Sequence, residues 1–355
     1  MDRRWSDLAD ILVHYSTAIQ PGERVLIGMH EVETLPLVRA IYEKAVQAGG
    51  LVQVLFNSEY LKHSLLRHGN QEQISWLPEL ETQGLEWANV YFGLRGGHNL
   101  YELADIPSEK LALHQHILGN LSSLRWEKTR WCLLRIPDES FAQQSHTDLE
   151  TITNLFFDAC LRDWTAESRA WQRIADHLGQ GREIHLLGPG LDLHFSIVGR
   201  TWVVGNGRLN MPDGEIFTAP VAESLEGQIA FNLPGVFGGR LIENIHLRWM
   251  RGHLESATSS THQDYLQQIT ATDPGAGRVG EFGFGVNPAI DRFCNDILLD
   301  EKIGGTIHLA LGRAYPECRG DNRSAIHWDI VHDMRPGGEV YLDNQLIYKN
   351  GHFLY

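Results

Sequence analysis

Residues 24–56 read RVLIGMHEVETLPLVRAIYEKAVQAGGLVQVLF, and this stretch decides the architecture of the first half of the chain. Arg24-Val-Leu-Ile-Gly-Met29 is an apolar run of strand length. Residues 33–48 carry apolar positions at helical spacing up to Gly49-Gly50, and 51–56 is strand-like again. A strand, a helix and a second strand make the unit that lays strands parallel, because the helix returns the chain across one face of the sheet. Outward from it the pattern continues. Upstream, Trp5, Leu8, Ile11, Leu12 and Tyr15 set a helical period over 3–19, ended by the Gln20-Pro21-Gly22 turn signal. Downstream, Asn89–Leu94 and Trp131–Ile136 are strand candidates, with helical patterns at 102–118 and 147–178. The expectation is an α/β N-terminal domain with an open, mostly parallel sheet covered on both faces. Gly93-Leu-Arg-Gly-Gly97 follows a strand but matches neither dinucleotide nor P-loop spacing, so its glycines read as structural.

The texture changes near residue 180, after Gly179-Gln-Gly181. Short alternating runs follow at Glu183–Leu187, Leu191–Ile197, Thr201–Val204, Gln228–Asn232, Arg240–Arg248, Gly305–Leu311 and Ala325–Ile330, with a last one near 339–342. Glycine-bearing turns separate many of them. Domains of 1–180 and 181–355 are therefore expected, the second α+β and strand-rich. At 355 residues the chain also exceeds what one hydrophobic core usually serves.

The formal charge of −15 argues against nucleic acid, which needs a concentrated basic surface. It suits either a solubility surplus or a site rich in carboxylates. No apolar stretch is long enough to span a membrane, and Asp7 and Asp10 sit where a signal peptide needs an apolar run. A cytoplasmic protein is the expectation. The four cysteines, Cys132, Cys160, Cys294 and Cys318, lie far apart and read as reduced and buried.

Common hydrolase signatures are missing: there is no HExxH and no GxSxG elbow. His114 and His116 fall on opposite sides of a helix and do not share a metal. One region differs. In Ala325-Ile-His327-Trp-Asp329-Ile a strand is expected, so His327 and Asp329 point to one face. An imidazole beside a carboxylate suits Zn, Co, Mn or Fe, and equally a plain ion pair. His308 lies among aliphatics in Thr306–Leu311 and needs a partner. Glu281 and Glu215 stand in apolar, glycine-rich surroundings, and buried carboxylates are costly unless paired or metal-bound. Tyr315, seven residues after His308, reads either as a half-buried core aromatic or as a site residue. Arg313 and Glu317 read as surface charge. Together these acids and imidazoles suffice for two cations, with one carboxylate bridging.

These segments resemble the M29 metallopeptidase family, the aminopeptidase T and aminopeptidase S group. The resemblance is carried by Asn210-Met-Pro-Asp-Gly-Glu-Ile-Phe-Thr-Ala-Pro220, Gly280-Glu281, His308-Leu-Ala-Leu-Gly-Arg-Ala-Tyr315-Pro-Glu317 and Ile326-His327-Trp-Asp329, with Gln20-Pro-Gly-Glu-Arg-Val-Leu-Ile27 near the start. It implies metal ligation by Glu215, Glu281, His308, His327 and Asp329, and an active-site role for Tyr315. It also implies removal of N-terminal residues from peptides, two divalent ions (Zn, Co or Mn), and a homodimer. The chain is shorter than the thermophilic members, and its His308–His327 interval is compressed. Two alternatives stand beside this reading: a one-iron ring-cleaving dioxygenase of the 2,5-dihydroxypyridine type, which resembles this chain but has no match to Glu215, and a non-catalytic metal-binding relative.

Overall fold

In the computed structural model, which describes residues 2–125 and 128–355, four parallel strands come first. These are β1 (Arg24–His30), β2 (Leu51–Asn57), β3 (Val90–Arg95) and β4 (Arg130–Arg135), side by side in the order β2-β1-β3-β4. Val25 to Met29 are all buried, as a strand covered on both faces requires. The helix α1 (Arg3–Ile11) starts where the Asp2 carboxylate accepts from the Arg4 N–H, and a wider π turn over Leu12–Ser16 completes the expected 3–19 segment. The helix α2 (Leu35–Gln47) buries Leu37, Val38, Ile41 and Ala45.

Two helical expectations shift. The helix expected at 102–118 occupies Ser108–Ser123, because Pro107 disfavours helical backbone in the residue before it. The 147–178 pattern divides into Leu149–Cys160 and Trp164–Leu178. Each has its own aspartate cap, Asp148 accepting from Thr151 N and Asp163 from Ala166 N. Helices at Glu59–His68, Gln71–Ile74 and Glu79–Trp87 were not singled out in the sequence. Gly93 lies within β3 rather than in a turn.

The chain divides into two compact units, Met1–Arg162 with Gly207–Pro212, and Asp163–Asn206 with Asp213–Tyr355. The second unit is antiparallel. An eight-stranded sheet runs in the order His253–Thr258, His246–Met250, Glu226–Ala230, Leu191–Ser196, Glu183–Gly188, Glu339–Leu342, Gln345–Lys349, His352–Phe353. A five-stranded sheet contains β5 (Val203–Gly205), β6 (Glu215–Thr218), β7 (Val279–Gly285), β8 (Thr306–Gly312) and β9 (His327–Asp333), each paired to the next. The expected run Arg240–Arg248 is broken at Asn244, whose φ of 51° turns the chain between Arg240–Ile242 and His246–Met250. Phe282 and Phe284 of β7 pack with Phe195 and Trp202, their ring centroids 5.0–6.0 Å apart. Strand alternation therefore leaves Glu281, Gly283 and Gly285 on the opposite face of β7. All four cysteines are buried thiols. Among the described residues no helix is long and apolar enough to cross a membrane.

At the end of β4 the buried Asp138 holds the first unit's loops together. It caps the helix Glu139–Gln144 through Phe141 N, accepts from Gly97 N at 2.8 Å and pairs with Arg135 Nη1 at 2.7 Å. Asp138→Ala leaves a buried guanidinium without its counter-charge. It is expected to cost about 3–5 kcal/mol, read as a lower urea midpoint with unchanged m-value.

Candidate metal centre

Antiparallel register decides which side chains meet. Glu281 lies opposite Ala310, and Ala310 lies opposite Asp329. His308 lies opposite Gly283, Glu215 opposite Gly285, and His327 opposite Gly312. Residues directly opposite share a face, and so do residues two apart along a strand. Glu215, Glu281, His308, His327 and Asp329 therefore project from one side of four neighbouring strands. Apart from Val331 beside His308, their opposite partners are glycine or alanine, which leaves space for the long polar side chains. At Gly283 the space is taken up completely: a Cβ there would lie 2.3 Å from both Cε1 and Nε2 of His308.

The five side chains form two groups that share one acid. Glu215, Glu281 and His308 bring one ligand atom each within 4.8 Å of one another, and Glu281, His327 and Asp329 do the same. His308 Nε2 is 3.2 Å from Glu281 Oε1 and 3.5 Å from Glu215 Oε2. His327 Nε2 is 3.7 Å from Glu281 Oε2 and 3.3 Å from Asp329 Oδ2. Glu281 thus turns one oxygen to each imidazole. The His327 Nδ1–H donates to the Arg313 carbonyl at 2.7 Å, which fixes the ring with Nε2 toward the acids.

Burial sets the electrostatics. It pushes Glu215 well above the usual carboxylate range, and the neighbouring Glu301 adds to the rise. Burial also raises Glu281, against the hydrogen bond from His308. For the imidazoles burial works downward but the acids prevail: His308 rises to about 9 beside Glu281 and Glu215, and His327 to about 10 beside Asp329 and Glu281. Asp329, despite its burial, is held below its ordinary value by His327. Glu281 Oε2 and Asp329 Oδ1 remain buried without a hydrogen-bond donor. Orphaned anionic oxygens facing imidazole nitrogens are what a divalent cation would satisfy, so the residues fit one.

Tyr315 follows β8 and stacks obliquely on His327, centroids 4.7 Å apart, with Phe217 6.1 Å away on another side. Burial raises its phenol pKa. Arg313 and Glu317 are exposed. Gly205 leaves room for Asp213 and Glu215, since a Cβ there would lie 2.8 Å from Glu215 Cγ. Asn287 Nδ2 donates to the Asp213 carbonyl at 2.8 Å and holds the turn that leads into Glu215.

Lys302 was missed in the sequence. It is fully buried, 3.5 Å from Glu215 Oε1 and in direct contact with Glu301. Burial disfavours its charge, but Glu215 and Glu301 outweigh that and raise its pKa. Asp300-Glu301-Lys302 reads as a solvated charged turn; the only signal was its position between Leu299 and Ile303. A further group, Glu31, Glu33 and His98, gathers where β1 and β3 end. There the imidazole already serves both acids, Nδ1 at 2.7 Å from Glu33 and Nε2 at 3.4 Å from Glu31.

Fold and donor set together describe a metalloenzyme of mixed α/β and antiparallel construction. The family model described as thermophilic metalloprotease (M29) matches residues 1–353, and the chain belongs to that family of metal-dependent hydrolases. It is 27% identical to aminopeptidase T of Thermus thermophilus over 98% of this chain and 96% of the relative. The solved structure of wild-type AmpT from Thermus thermophilus covers 99% of both chains with a TM-score of 0.89 at 23% identity. The 2,5-dihydroxypyridine dioxygenase of Pseudomonas putida KT2440 shares the fold more distantly, with a TM-score of 0.63 at 16% identity over 99% of this chain and 96% of its own.

Lys302→Met removes the cation that lets Glu215 and Glu301 lie together. A loss of about 3–5 kcal/mol is expected in urea unfolding of the metal-free protein. An unchanged midpoint would show that neither acid depends on it.

Proposed function

We propose that this protein is a metal-dependent aminopeptidase that hydrolyses the first peptide bond of peptides with water that two divalent cations would activate. The observation that carries the reading is Glu281, buried between two imidazoles and offering one oxygen to each donor group. In this reading Glu215, Glu281 and His308 hold one cation, and Glu281, His327 and Asp329 the other. Zn, Co or Mn suits the mixture of carboxylate and imidazole donors.

Bound there, two divalent cations would supply Lewis acidity, lowering the pKa of water toward roughly 7 and polarising the scissile carbonyl. The chain's own groups do the rest. Asp329 and Glu215, at the two ends of the cluster, orient and neutralise. His327, locked by the Arg313 carbonyl, keeps Nε2 aimed inward. Tyr315, packed on His327, donates its hydroxyl hydrogen to the oxyanion that develops on the carbonyl oxygen. The surrounding sheet keeps bulk water away from Glu281 and His308, which strengthens each of these contacts. All of these residues lie in 181–355, taken as the catalytic domain, with the α/β domain in 1–180. The reading extends to a cytoplasmic protein, as the sequence suggests, and to a homodimer, as the family resemblance implies.

The deciding experiment pairs metal analysis with aminoacyl-p-nitroanilide and peptide assays. Two Zn, Co or Mn per chain are expected, with turnover lost in EDTA and regained on adding metal. One Fe per chain and oxygen-dependent cleavage of a dihydroxypyridine would instead establish the ring-cleaving alternative. Full metal content without turnover on any reporter would establish a binding protein. Glu281→Ala is expected to abolish turnover in a folded protein, and near-normal peptidase activity would refute its assigned place.

Gly283→Ala gives an independent check through geometry alone. The added methyl collides with the His308 ring. Bound metal is expected to fall while the far-UV circular dichroism stays unchanged; wild-type metal content would show that His308 is not needed to hold it.

A further inference from the structure

Beside the metal centre, on the same face of β9, the sheet leaves a small depression. Val331 follows Asp329 by two residues and so projects beside it. Pro234, Val236, Phe293 and Ile297 enclose the space in front of Val331, and Asp300 and Asp329 line its polar edge. The cavity measures about 20 Å³. That exceeds the ~10–15 Å³ needed for one water molecule, so it takes a methyl group but not an isobutyl or benzyl group.

We infer that this depression receives the side chain of the substrate's first residue, selecting small apolar side chains and excluding acidic ones. The inference rests on the aminopeptidase reading and adds a substrate class to it. An aminopeptidase must fix both the free amine and the first carbonyl at its metal centre. The side chain on the carbon between them then falls within a few ångströms of the ligands, and this depression shares Asp329 with them. Its walls are aliphatic apart from one aromatic ring, so an apolar side chain loses no hydration there without return. None of its lining side chains is a cation, so a carboxylate entering it loses its hydration without a counter-charge in return.

Phe293 sets the depth. It is half-buried, on the segment that Asp300 anchors by accepting from Cys294 N at 2.6 Å. The ring can therefore be removed without emptying the core. Ile297, also part of the lining, is 39% exposed, so a larger side chain there is accommodated at the mouth of the depression and narrows it.

The test compares kcat/KM of the metal-loaded protein for Ala, Leu, Phe and Glu p-nitroanilides in wild type, Phe293→Ala and Ile297→Trp. A thermal melt of each variant confirms folding. In wild type the Ala reporter is expected to exceed Phe by about 10–200-fold, with Glu lower still. Phe293→Ala should shrink the Ala-to-Phe ratio at least tenfold, and Ile297→Trp should widen it. A ratio that moves in neither variant, or a Glu reporter cleaved as well as Ala, overturns the subsite while leaving the aminopeptidase reading intact. Loaded protein inert toward all four reporters and toward peptides overturns both.

Discussion

Buried carboxylates repel one another, and everything at this site follows from how the sheet makes their company tolerable. Glu215 and Glu281 lie almost out of solvent, and Asp329 is close behind on the next strand but one from Glu281. Left alone, such a set would protonate or unfold its surroundings. Two devices prevent it. Antiparallel register interleaves the acids with His308 and His327, so each carboxylate has an imidazole within 3.7 Å. Glycine and alanine occupy most of the cross-strand positions between them, with Val331 beside His308, so little side-chain bulk competes with the charged groups for space. The opposite face carries Phe282 and Phe284, whose packing fixes the strand that carries Glu281.

How much of this was legible depended on whether the signal was local. The first sheet was readable because β1 and β2 are apolar runs bounded by glycine, and its strands begin and end close to the expected residues. His327 and Asp329 were readable as neighbours because a two-residue spacing on a strand is a statement about one face. The strands β6 and β7 were not read as strands. Their sequences, Glu-Ile-Phe-Thr and Val-Gly-Glu-Phe-Gly-Phe-Gly, are short or glycine-rich, and they pair with each other across as many as 70 residues, from Glu215 to Gly285. Glu215 and Glu281 were picked out as acids in apolar settings, but nothing local brought them to one place. That came from the family resemblance, and the register of β6 to β9 now gives it a structural cause. Lys302 was invisible for the opposite reason: a charged tripeptide looks solvated until tertiary packing closes over it.

The same fold does not imply the same chemistry. Two solved proteins with this architecture carry the names of a peptidase and of a ring-cleaving dioxygenase, so the sheets alone decide nothing. Any distinction has to come from the donors, and in this chain two donor groups share one acid. One imidazole with one or two acids serves a single cation. A second acid–imidazole pair, joined to the first through a shared carboxylate, makes room for another. Here the joining group is Glu281, and the second pair is Glu215 with His308.

Lys302 sharpens that difference. Its ammonium lies at the Glu215 end of the cluster only, and Glu301 on its far side keeps the added charge from being a net gain. The other end, around Asp329, has no lysine or arginine against it among the ion pairs of the described residues and is compensated chiefly by His327. In the metal-free chain the raised imidazole pKa values mean that protons provide part of the missing positive charge. A divalent cation entering the centre has to displace those protons, because a ligating imidazole must present a free lone pair. Protonation and metal binding therefore compete for the same charge balance at this centre.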